Sequence, residues 1–255
     1  MMRILLTNDD GITAKGIQAL CKTLSDIAEI SVVAPDGNRS AVGHGITLEH
    51  PILLREVEME CGGVFGYAIS GTPADCVKLA IQGNLVPMPD IVISGINQGQ
   101  NLGTDVLYSG TVSAAIEGAQ QGVPAIAVSL TDYTYADFGY AASFTKKLCQ
   151  YLAGQGLTKD TLLNVNIPPL QAGEIKGVRV TKLCMMRYIN VFETRVDPKG
   201  RKYFWQGGEV LEEGCRDPET DIEAIRNQEV SITPIHFDLT NYRIMNQVRE
   251  WDLTP

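Results

Sequence analysis

The chain has 255 residues, of which 44% are hydrophobic and 20% are charged, a composition typical of a globular protein with one sizeable buried core. Its formal net charge of −9 argues against binding to a long nucleic acid, because that affinity comes largely from Lys and Arg side chains that neutralise phosphates. No segment has the roughly 18 to 20 uncharged apolar residues of a membrane span, so we expect neither a polymeric nucleic acid nor a membrane as partner.

Short apolar runs alternate with helical periodicity from the start of the chain to about residue 170. Strands are predicted at Arg3–Thr7, Glu29–Ala34, Asp90–Ser94, Ala125–Leu130 and Leu163–Ile167, and helices at Lys15–Ile27, Pro73–Gln82, Val112–Gln121 and Tyr135–Leu152. Continuous apolar runs of this length are typical of buried parallel strands. The alternation therefore predicts an α/β fold with a doubly wound, mostly parallel sheet.

After about Pro169 the pattern changes to strands without intervening helices. Strands are predicted at Val178–Leu183 and Glu229–Ile235, and the tetrapeptide Asp197-Pro198-Lys199-Gly200 is a turn between hairpin arms at Arg187–Val196 and Arg201–Gln206. The arms mix five aromatic side chains with many charges. We predict a single domain over residues 1–255, with a core at 1–170 and a carboxy-terminal β-hairpin extension at about 181–215.

Three predicted strands end in polar segments, namely Thr7-Asn8-Asp9-Asp10-Gly11, Ala34 to Ser40, and Ser94-Gly95-Ile96-Asn97-Gln98-Gly99. In an open parallel sheet, ligands bind beyond the carboxyl ends of the strands. Adjacent carboxylates repel each other unless a cation or protons neutralise them, and oxygen ligands suit Mg²⁺, Mn²⁺ or Ca²⁺. The pattern predicts a divalent-cation site at Asp9 and Asp10. The alternative is that both residues cap a helix that begins near Ile12.

A fourth polar segment, Tyr108-Ser109-Gly110-Thr111, precedes a predicted helix and could bind an anion. Free backbone N–H groups and small hydroxyls at a helix start suit a phosphate, although a simple Ser or Thr N-cap gives the same pattern. Ser70-Gly71-Thr72-Pro73 has the same form, and there the cap interpretation is favoured. His44 could reach the site from its loop, but a lone loop histidine is more often bonded locally.

The six cysteines occur singly, with no C-x-x-C pair. This pattern is typical of small hydrophobic side chains in a reducing compartment, so a cytoplasmic location is expected. The chain also lacks the G-x-x-x-x-G-K-[ST] loop and the G-x-S-x-G elbow, which argues against ATP hydrolysis and serine-hydrolase chemistry.

Five strings together, TNDDGI (7–12), APDGNRSA (34–41), SGTPADCV (70–77), SGIN (94–97) and YSGTVSAA (108–115), resemble the survival protein E (SurE) family of nucleotidases. The resemblance implies a Rossmann-like core and hydrolysis of nucleoside 5′- and 3′-monophosphates in the cytoplasm. It also implies one divalent cation per subunit, and homodimers or homotetramers with exchanged carboxy-terminal elements. Mg²⁺ or Mn²⁺ is preferred as the cation, and Ca²⁺ is compatible.

The resemblance also assigns roles to particular residues. It implies metal ligands at Asp9, Asp10, Ser40 and Asn97, catalytic roles for Asp9 and Asp10, and phosphate binding by Asn97, Ser109, Gly110 and Thr111. We expect a water molecule to attack phosphorus in line, oriented by one of the two aspartates. Direct attack by Asp10 is disfavoured, because the haloacid dehalogenase pattern needs a second Asp at the position of Ile12.

Two alternative functions use the same residues. The chain could be a phosphatase for short polyphosphate or another small phosphoester, because nothing in the sequence fixes the leaving group. It could also be a non-catalytic sensor that binds a nucleotide through the same cation. Release of phosphate separates the sensor from both enzymes.

Overall fold

The computed structural model describes residues 1–135, 137–158, 160–189, 191–211 and 216–253. Its strands are β1 (Met2–Thr7), β2 (Ala28–Pro35), β3 (Leu54–Glu58), β4 (Phe65–Ile69), β5 (Ile91–Gln98), β6 (Ala125–Leu130), β7 (Thr161–Ile167), β8 (Gly177–Val180), β9 (Arg187–Ile189), β10 (Phe192–Val196), β11 (Lys202–Gln206), β12 (Glu209–Leu211) and β13 (Glu229–His236). Its helices are α1 (Lys15–Leu24), α2 (Pro73–Gln82), α3 (Gly110–Gln120), α4 (Gly139–Gln155), α5 (Asp221–Arg226) and α6 (Met245–Arg249), with a 3₁₀ helix at Gly103–Leu107. Within the described ranges, every helix is too short or too polar to cross a membrane.

The main sheet has nine strands over the described residues, in the order β3-β4-β2-β1-β5-β6-β7-β13-β8. The six strands from β4 to β7 in this order are all parallel. Strand β3 is antiparallel to β4, and β13 is antiparallel to β7. The chain adds strands on one side of β1 and then on the other, so the predicted doubly wound, mostly parallel α/β fold is confirmed.

Side chains of the central strands alternate between two buried cores, one on each face of the sheet. In β1, Ile4 and Leu6 belong to the core that includes residues of α1 and α4. The intervening Leu5 belongs to the core that includes residues of α2 and α3. Because successive strand side chains point to opposite faces, burying both faces requires the continuous apolar runs seen in the sequence. The two cores hold the strand ends in fixed positions.

The carboxy-terminal extension is a hairpin that projects from this sheet. Strands β10 and β11 pair antiparallel from Phe192↔Gln206 to Val196↔Lys202, around the turn at residues 197–200, so the predicted hairpin is confirmed. Strands β9 and β12 pair at its base, and the aromatic side chains of the arms are exposed. Asn190 and residues 212–215, including Cys215, belong to the predicted extension but lie outside the described residues.

The base of the hairpin is fixed to the 3₁₀ helix by two acidic side chains. The buried Asp221 carboxylate accepts hydrogen bonds from the backbone N–H of Gly103 at 2.6 Å and of Cys184 at 3.0 Å. The Tyr188 hydroxyl donates to Asp105 Oδ2 at 2.5 Å. We call these contacts the hairpin anchor.

One prediction about the elements is wrong, and two strands were not predicted. The segment after Pro169 contains helices α5 and α6, which have six and five residues and are too short for a periodic signal. Strands β3 and β4 were also not predicted. Strand β3 lies at the edge of the sheet and is mostly exposed, so it lacks the apolar run of a buried strand.

The prediction of free thiols is wrong for Cys21 and Cys61, which form a disulfide, and for Cys184, which is disulfide-bonded as well. Cys21 lies in α1, and the turn between β3 and β4 brings Cys61 beside it. A separation of 40 residues gives no sequence signal for such a pair. Cys76 and Cys149 are free and buried, as predicted. The cysteines therefore no longer support a reducing compartment.

Candidate active site

The first polar strand end is a tight turn that follows β1. The Asn8 side chain closes this turn, because its Oδ1 accepts from Gly11 N at 3.1 Å and its Nδ2 donates to Gly11 O at 2.8 Å. Gly11 has a φ of +101°, and a Cβ on it would lie 3.1 Å from the backbone of Gly37. Only glycine tolerates both conditions. Asn8 and Gly11 therefore determine where the two intervening aspartates lie.

Asp9 connects the end of β1 to the start of α3. The Thr111 hydroxyl donates to Asp9 Oδ1 at 2.5 Å, and Asp9 is only 4% exposed. Burial raises the pKa of Asp9 to about 6, and the neighbouring Asp10 adds to the rise, although the Thr111 hydrogen bond opposes it. Burial disfavours the charged form of both carboxylates, so a bound cation would stabilise the ionised pair.

Asp10 points to a neighbouring cavity, which it lines together with Lys15 and Gln98. Its Oδ2 accepts from Gln98 N at 3.1 Å, and burial raises its pKa. The capping alternative is wrong for both aspartates, because α1 begins only at Lys15, with Ala14 at the N-cap and no acidic residue in the first turn. Neither carboxylate is therefore occupied in capping α1.

The second and third strand ends bring Ser40 and Asn97 towards Asp9. The Arg39 N–H donates to Asp9 O at 2.7 Å, and Ser40 N donates to Asn38 Oδ1 at 2.9 Å. These bonds hold the loop after β2 against the end of β1. Asn97 Nδ2 donates to the backbone carbonyl of residue 99 at 2.8 Å, which leaves its Oδ1 as an acceptor.

The start of α3 supplies the predicted anion site. Ser109 is the N-cap, and its Oγ accepts from Val112 N at 3.0 Å, so the cap interpretation is correct for this residue. The Ser109 hydroxyl can still donate its hydrogen to a ligand. A Cβ on Gly110 would lie 2.8 Å from Asp9 Cβ. The helix therefore approaches β1 this closely only because residue 110 has no side chain.

Four of the predicted site residues line one cavity of about 250 Å³, namely Asp9, Ser40, Asn97 and Ser109. They come from four separate segments of the sequence. Gly110 and Thr111 are buried behind Asp9, and Asp10 lies in the adjacent cavity. The predicted metal ligands all offer oxygen atoms, so the set fits a hard divalent cation.

The oxygen atoms that such a cation would need are available. Asp10 Oδ1, Ser40 Oγ and Asn97 Oδ1 make no hydrogen bond to another described residue. The described residues contain no group of three or more His, Cys, Asp or Glu that could hold a metal ion without other ligand types. A site with two carboxylates, a hydroxyl and an amide favours Mg²⁺ or Mn²⁺ over a thiophilic metal.

Several residues that line the 250 Å³ cavity were given no role from the sequence: Gln98, Gln100, Asn101, Asp105, Tyr108 and Tyr133. The first three lie at or just after the end of β5. They could have been found from the sequence, because ligands bind beyond the carboxyl ends of parallel strands. Asp105 and Tyr108 belong to the 3₁₀ helix and its cap, where periodicity gives no signal. Tyr133 follows β6 in a polar turn.

Buried asparagines fix the loop that carries these residues. Asn164 and Asn166, both on β7, donate to the Asn101 carbonyl at 2.8 and 2.9 Å. Asn101 Nδ2 donates in turn to Ser129 Oγ at 2.7 Å. A buried N–H group without a partner is costly, so these donated bonds hold the floor of the cavity in one conformation.

His44 does not line the cavity, and its partner lies on α3, 73 residues away in the sequence. Its Nε2 lies 3.1 Å from Glu117 Oε2. Burial acts to raise the pKa of Glu117, but hydrogen bonds from His44 and Gln121 hold it below its usual value. Thr72 and Asp75 form a capping box at the start of α2, so the cap interpretation of residues 70–73 is confirmed.

Comparison with known proteins identifies relatives over nearly the whole chain. The model of the survival protein SurE family matches residues 4–190. The 5′-nucleotidase SurE of Heliobacterium modesticaldum is 54% identical over 98% of this chain and 92% of its own length. The protein of the same name from Pelotomaculum thermopropionicum is 52% identical over 98% and 95%. The crystal structure of SurE protein from Aquifex aeolicus superposes with a TM-score of 0.84 at 40% identity, covering 97% of this chain and 98% of that one.

Proposed function

The chain belongs to the survival protein SurE family, and from this premise we propose that it hydrolyses nucleoside 5′-monophosphates to a nucleoside and inorganic phosphate. The proposal includes one divalent cation in each subunit and activity on 3′-monophosphates. The observation that carries it is the cavity in which Asp9, Ser40, Asn97 and Ser109 meet. The 5′-nucleotidase names of relatives at 54% and 52% identity support the substrate class.

Asp9, Asp10, Ser40 and Asn97 would hold the cation through their oxygen atoms. Mg²⁺ or Mn²⁺ fits this set best, and Ca²⁺ is compatible with it. When bound, such a cation neutralises charge that develops on the phosphoryl group and lowers the pKa of water. The raised pKa of Asp9 supports the assignment, since burial disfavours the ionised carboxylate and a cation beside it would offset that cost.

The start of α3 would bind the phosphoryl group. The Ser109 hydroxyl and the N–H of Gly110 supply donors at the positive end of the helix dipole. Thr111 contributes indirectly, because its hydroxyl is bonded to Asp9. We expect these donors to stabilise charge on the phosphoryl oxygens as the ester bond breaks.

Asp10 would orient the attacking water. Its Oδ2 is held by Gln98 N, so Oδ1 can accept a hydrogen bond from water placed opposite the leaving nucleoside oxygen. Attack by water breaks the bond between phosphorus and the ester oxygen, and that oxygen takes up a proton. Ile12 stands where a haloacid dehalogenase would have its second Asp, which supports water rather than Asp10 as the nucleophile.

The test is a phosphate-release screen with metal-stripped protein. Nucleoside 5′- and 3′-monophosphates, sugar phosphates and short polyphosphate are supplied as substrates, and each divalent cation is restored in turn. We expect excess chelator to abolish release and Mg²⁺ or Mn²⁺ to restore it, with nucleotides turned over fastest. Full activity in excess chelator would contradict the metal site.

The same screen separates the alternatives. Faster release from polyphosphate or a sugar phosphate than from any nucleotide would favour the general phosphatase. Nucleotide binding measured by calorimetry, without release under any cation, would favour the sensor.

A further inference from the structure

Two exposed tyrosine rings stand beside the cavity that contains Asp9 and Ser109. Tyr108 is 65% exposed and Tyr133 is 73% exposed, and both line that cavity. Single exposed aromatic residues are common on protein surfaces and need no explanation. Here, however, both rings line one acidic cavity next to the predicted phosphate site, where a substrate would lie.

Tyr133 is held in position by its neighbours. Asp132 Oδ1 accepts from the N–H of Thr134 at 2.6 Å and of Tyr135 at 2.7 Å, which closes the turn. Gln98 Nε2 donates to the Tyr133 carbonyl at 2.9 Å. A Cβ on residue 99, a glycine, would lie within 3.0 Å of three atoms of the ring, so the ring rests directly on this backbone.

Tyr108 is fixed through its backbone at the end of the 3₁₀ helix. Its N–H donates to Asp105 O at 2.9 Å, and its carbonyl accepts from Gly43 N at 3.0 Å. Tyr108 immediately precedes Ser109, which is one of the predicted phosphate donors, and both residues line the cavity. Groups that are already ordered lose less conformational entropy when a ligand binds.

The charges around the cavity restrict what these rings can bind. The charged side chains that line it are Asp9 and Asp105, and no Lys or Arg among the described residues lines it. A second anionic group on the substrate would be repelled there, whereas a neutral planar ring would not. Asp105 also accepts a hydrogen bond from the Tyr188 hydroxyl, which holds its carboxylate in place.

We propose that Tyr108 and Tyr133 form a nucleobase subsite, on which the base of the substrate stacks while its phosphate lies at the start of α3. This inference rests on the proposed function. Stacking uses the π-face that every base has. The subsite therefore selects for the presence of a base, and purines, with the larger ring system, bind more tightly than pyrimidines.

The experiment compares AMP with ribose 5-phosphate, which has the same phosphoester group but no base. Wild type, Tyr133→Ala, Tyr108→Ala and the corresponding Phe variants are assayed for KM and kcat with the restored cation. Each Ala variant should raise KM for AMP roughly 5- to 100-fold, the range for loss of one stacking contact. KM for ribose 5-phosphate should change far less. Each Phe variant should keep the wild-type KM for AMP.

Tyr151→Ala is the matched control, because Tyr151 is an exposed tyrosine on α4 that does not line the cavity. This variant should leave KM and kcat unchanged for both substrates. If both Ala variants raised KM equally for AMP and for ribose 5-phosphate, the subsite would be overturned. An unchanged KM for AMP would overturn it as well. A second measurement needs no variant: free adenosine should inhibit wild-type hydrolysis much more strongly than free ribose, and equal inhibition would overturn the subsite.

Failure of the proposed function has a different result. If wild type releases phosphate from neither substrate, the enzyme assignment fails and the subsite is tested by AMP binding in calorimetry. Weaker AMP binding by Tyr133→Ala and Tyr108→Ala, with Phe variants unchanged, would still support the subsite. Unchanged AMP binding by both Ala variants would overturn it.

Discussion

At the scale of single residues, Asp9 and Asp10 are adjacent in the chain but differ in their surroundings. Asp9 is buried against Thr111 and lines the 250 Å³ cavity. Asp10 is less buried and is held from one side by Gln98 N. Under the proposed function, Asp9 would mainly hold the cation and position α3, and Asp10 would hold the cation and orient the water.

The first prediction concerns Asp10→Asn, which keeps the shape of the side chain and removes its charge. We expect kcat to fall at least about a hundredfold, a loss of about 3 kcal/mol in transition-state stabilisation. The measurement is steady-state phosphate release from AMP. Asp26→Asn, at an exposed residue paired with Lys146, should leave kcat unchanged. A value for Asp10→Asn within threefold of wild type would assign Asp10 a structural role only.

The second prediction follows from the pKa of Asp9, which burial raises from its ordinary value to about 6. The folded state therefore binds the Asp9 proton more tightly than the unfolded state does. Above pH 6, the ionisation of Asp9 lowers the free energy of unfolding of the metal-free protein by about 3 kcal/mol. This loss becomes smaller as the pH falls from 6 to 4.

Calorimetric melting of metal-free protein at pH 8 and pH 5 tests this sign, with Asp9→Asn as the reference. Acidification should stabilise wild type relative to Asp9→Asn by about 1 to 1.5 kcal/mol, or roughly 3 °C for a chain of this size. An identical pH response in the two proteins would contradict the assigned shift.

At the scale of elements, the strand ends of β1, β2 and β5 were predictable and the 3₁₀ helix was not. Parallel order and buried runs are enough to place Asp9, Ser40 and Asn97 at one edge of a sheet. Tyr133 and Asp105 reach the same cavity through turns, whose geometry depends on local hydrogen bonds such as those of Asp132. Such bonds leave no periodic pattern in a sequence.

The third prediction concerns the close contact between α3 and β1. In Gly110→Ala the new Cβ would lie 2.8 Å from Asp9 Cβ and 3.1 Å from Pro73 Cγ, so the helix start must move away from Asp9. We expect kcat/KM for AMP to fall at least about tenfold, with a loss of about 1 to 3 kcal/mol in stability from overpacking.

Gly118→Ala is the matched control on the same helix. Its Cβ would lie 2.9 Å from Val92 side-chain atoms, two turns away from the cavity, so a similar loss of stability should leave kcat/KM nearly unchanged. If the two variants lost activity in proportion to stability, the start of α3 would be a structural element only.

At the scale of the whole molecule, the hairpin needs a surface to lie on. Its arms expose Phe192, Phe204 and Trp205, and an isolated two-stranded ribbon is only marginally stable in water. Large exposed apolar patches mark interaction sites, so the association of protomers through the hairpin stays a prediction. The catalytic ligands lie before residue 112 and are expected to belong to one protomer.

The fourth prediction is that replacing Phe192–Gln206 by a short Gly-Ser turn converts an oligomer into a monomer. This variant retains the hairpin anchor and the strands at the base. Light scattering should give a multiple of 27.7 kDa for wild type and for a Lys199→Ala control at the turn, and the monomer mass for the shortened variant. Mg²⁺ should still raise the melting temperature of that variant. The role of the hairpin would be contradicted if wild type were a monomer. It would also be contradicted if the shortened variant still had the mass of the wild-type oligomer.

The hairpin anchor connects assembly with substrate binding. Asp105 accepts a hydrogen bond from the Tyr188 hydroxyl at the base of the hairpin, and it also lines the cavity. Any shift of the 3₁₀ helix therefore moves both the base of the hairpin and the wall of the cavity. If the hairpin joins protomers, thermodynamic reciprocity applies: a substrate that tightens assembly must itself bind more tightly to the assembled form, by the same factor. Dilution below the dissociation constant of the oligomer would then weaken nucleotide affinity, and saturating nucleotide would keep the protomers together at lower protein concentration.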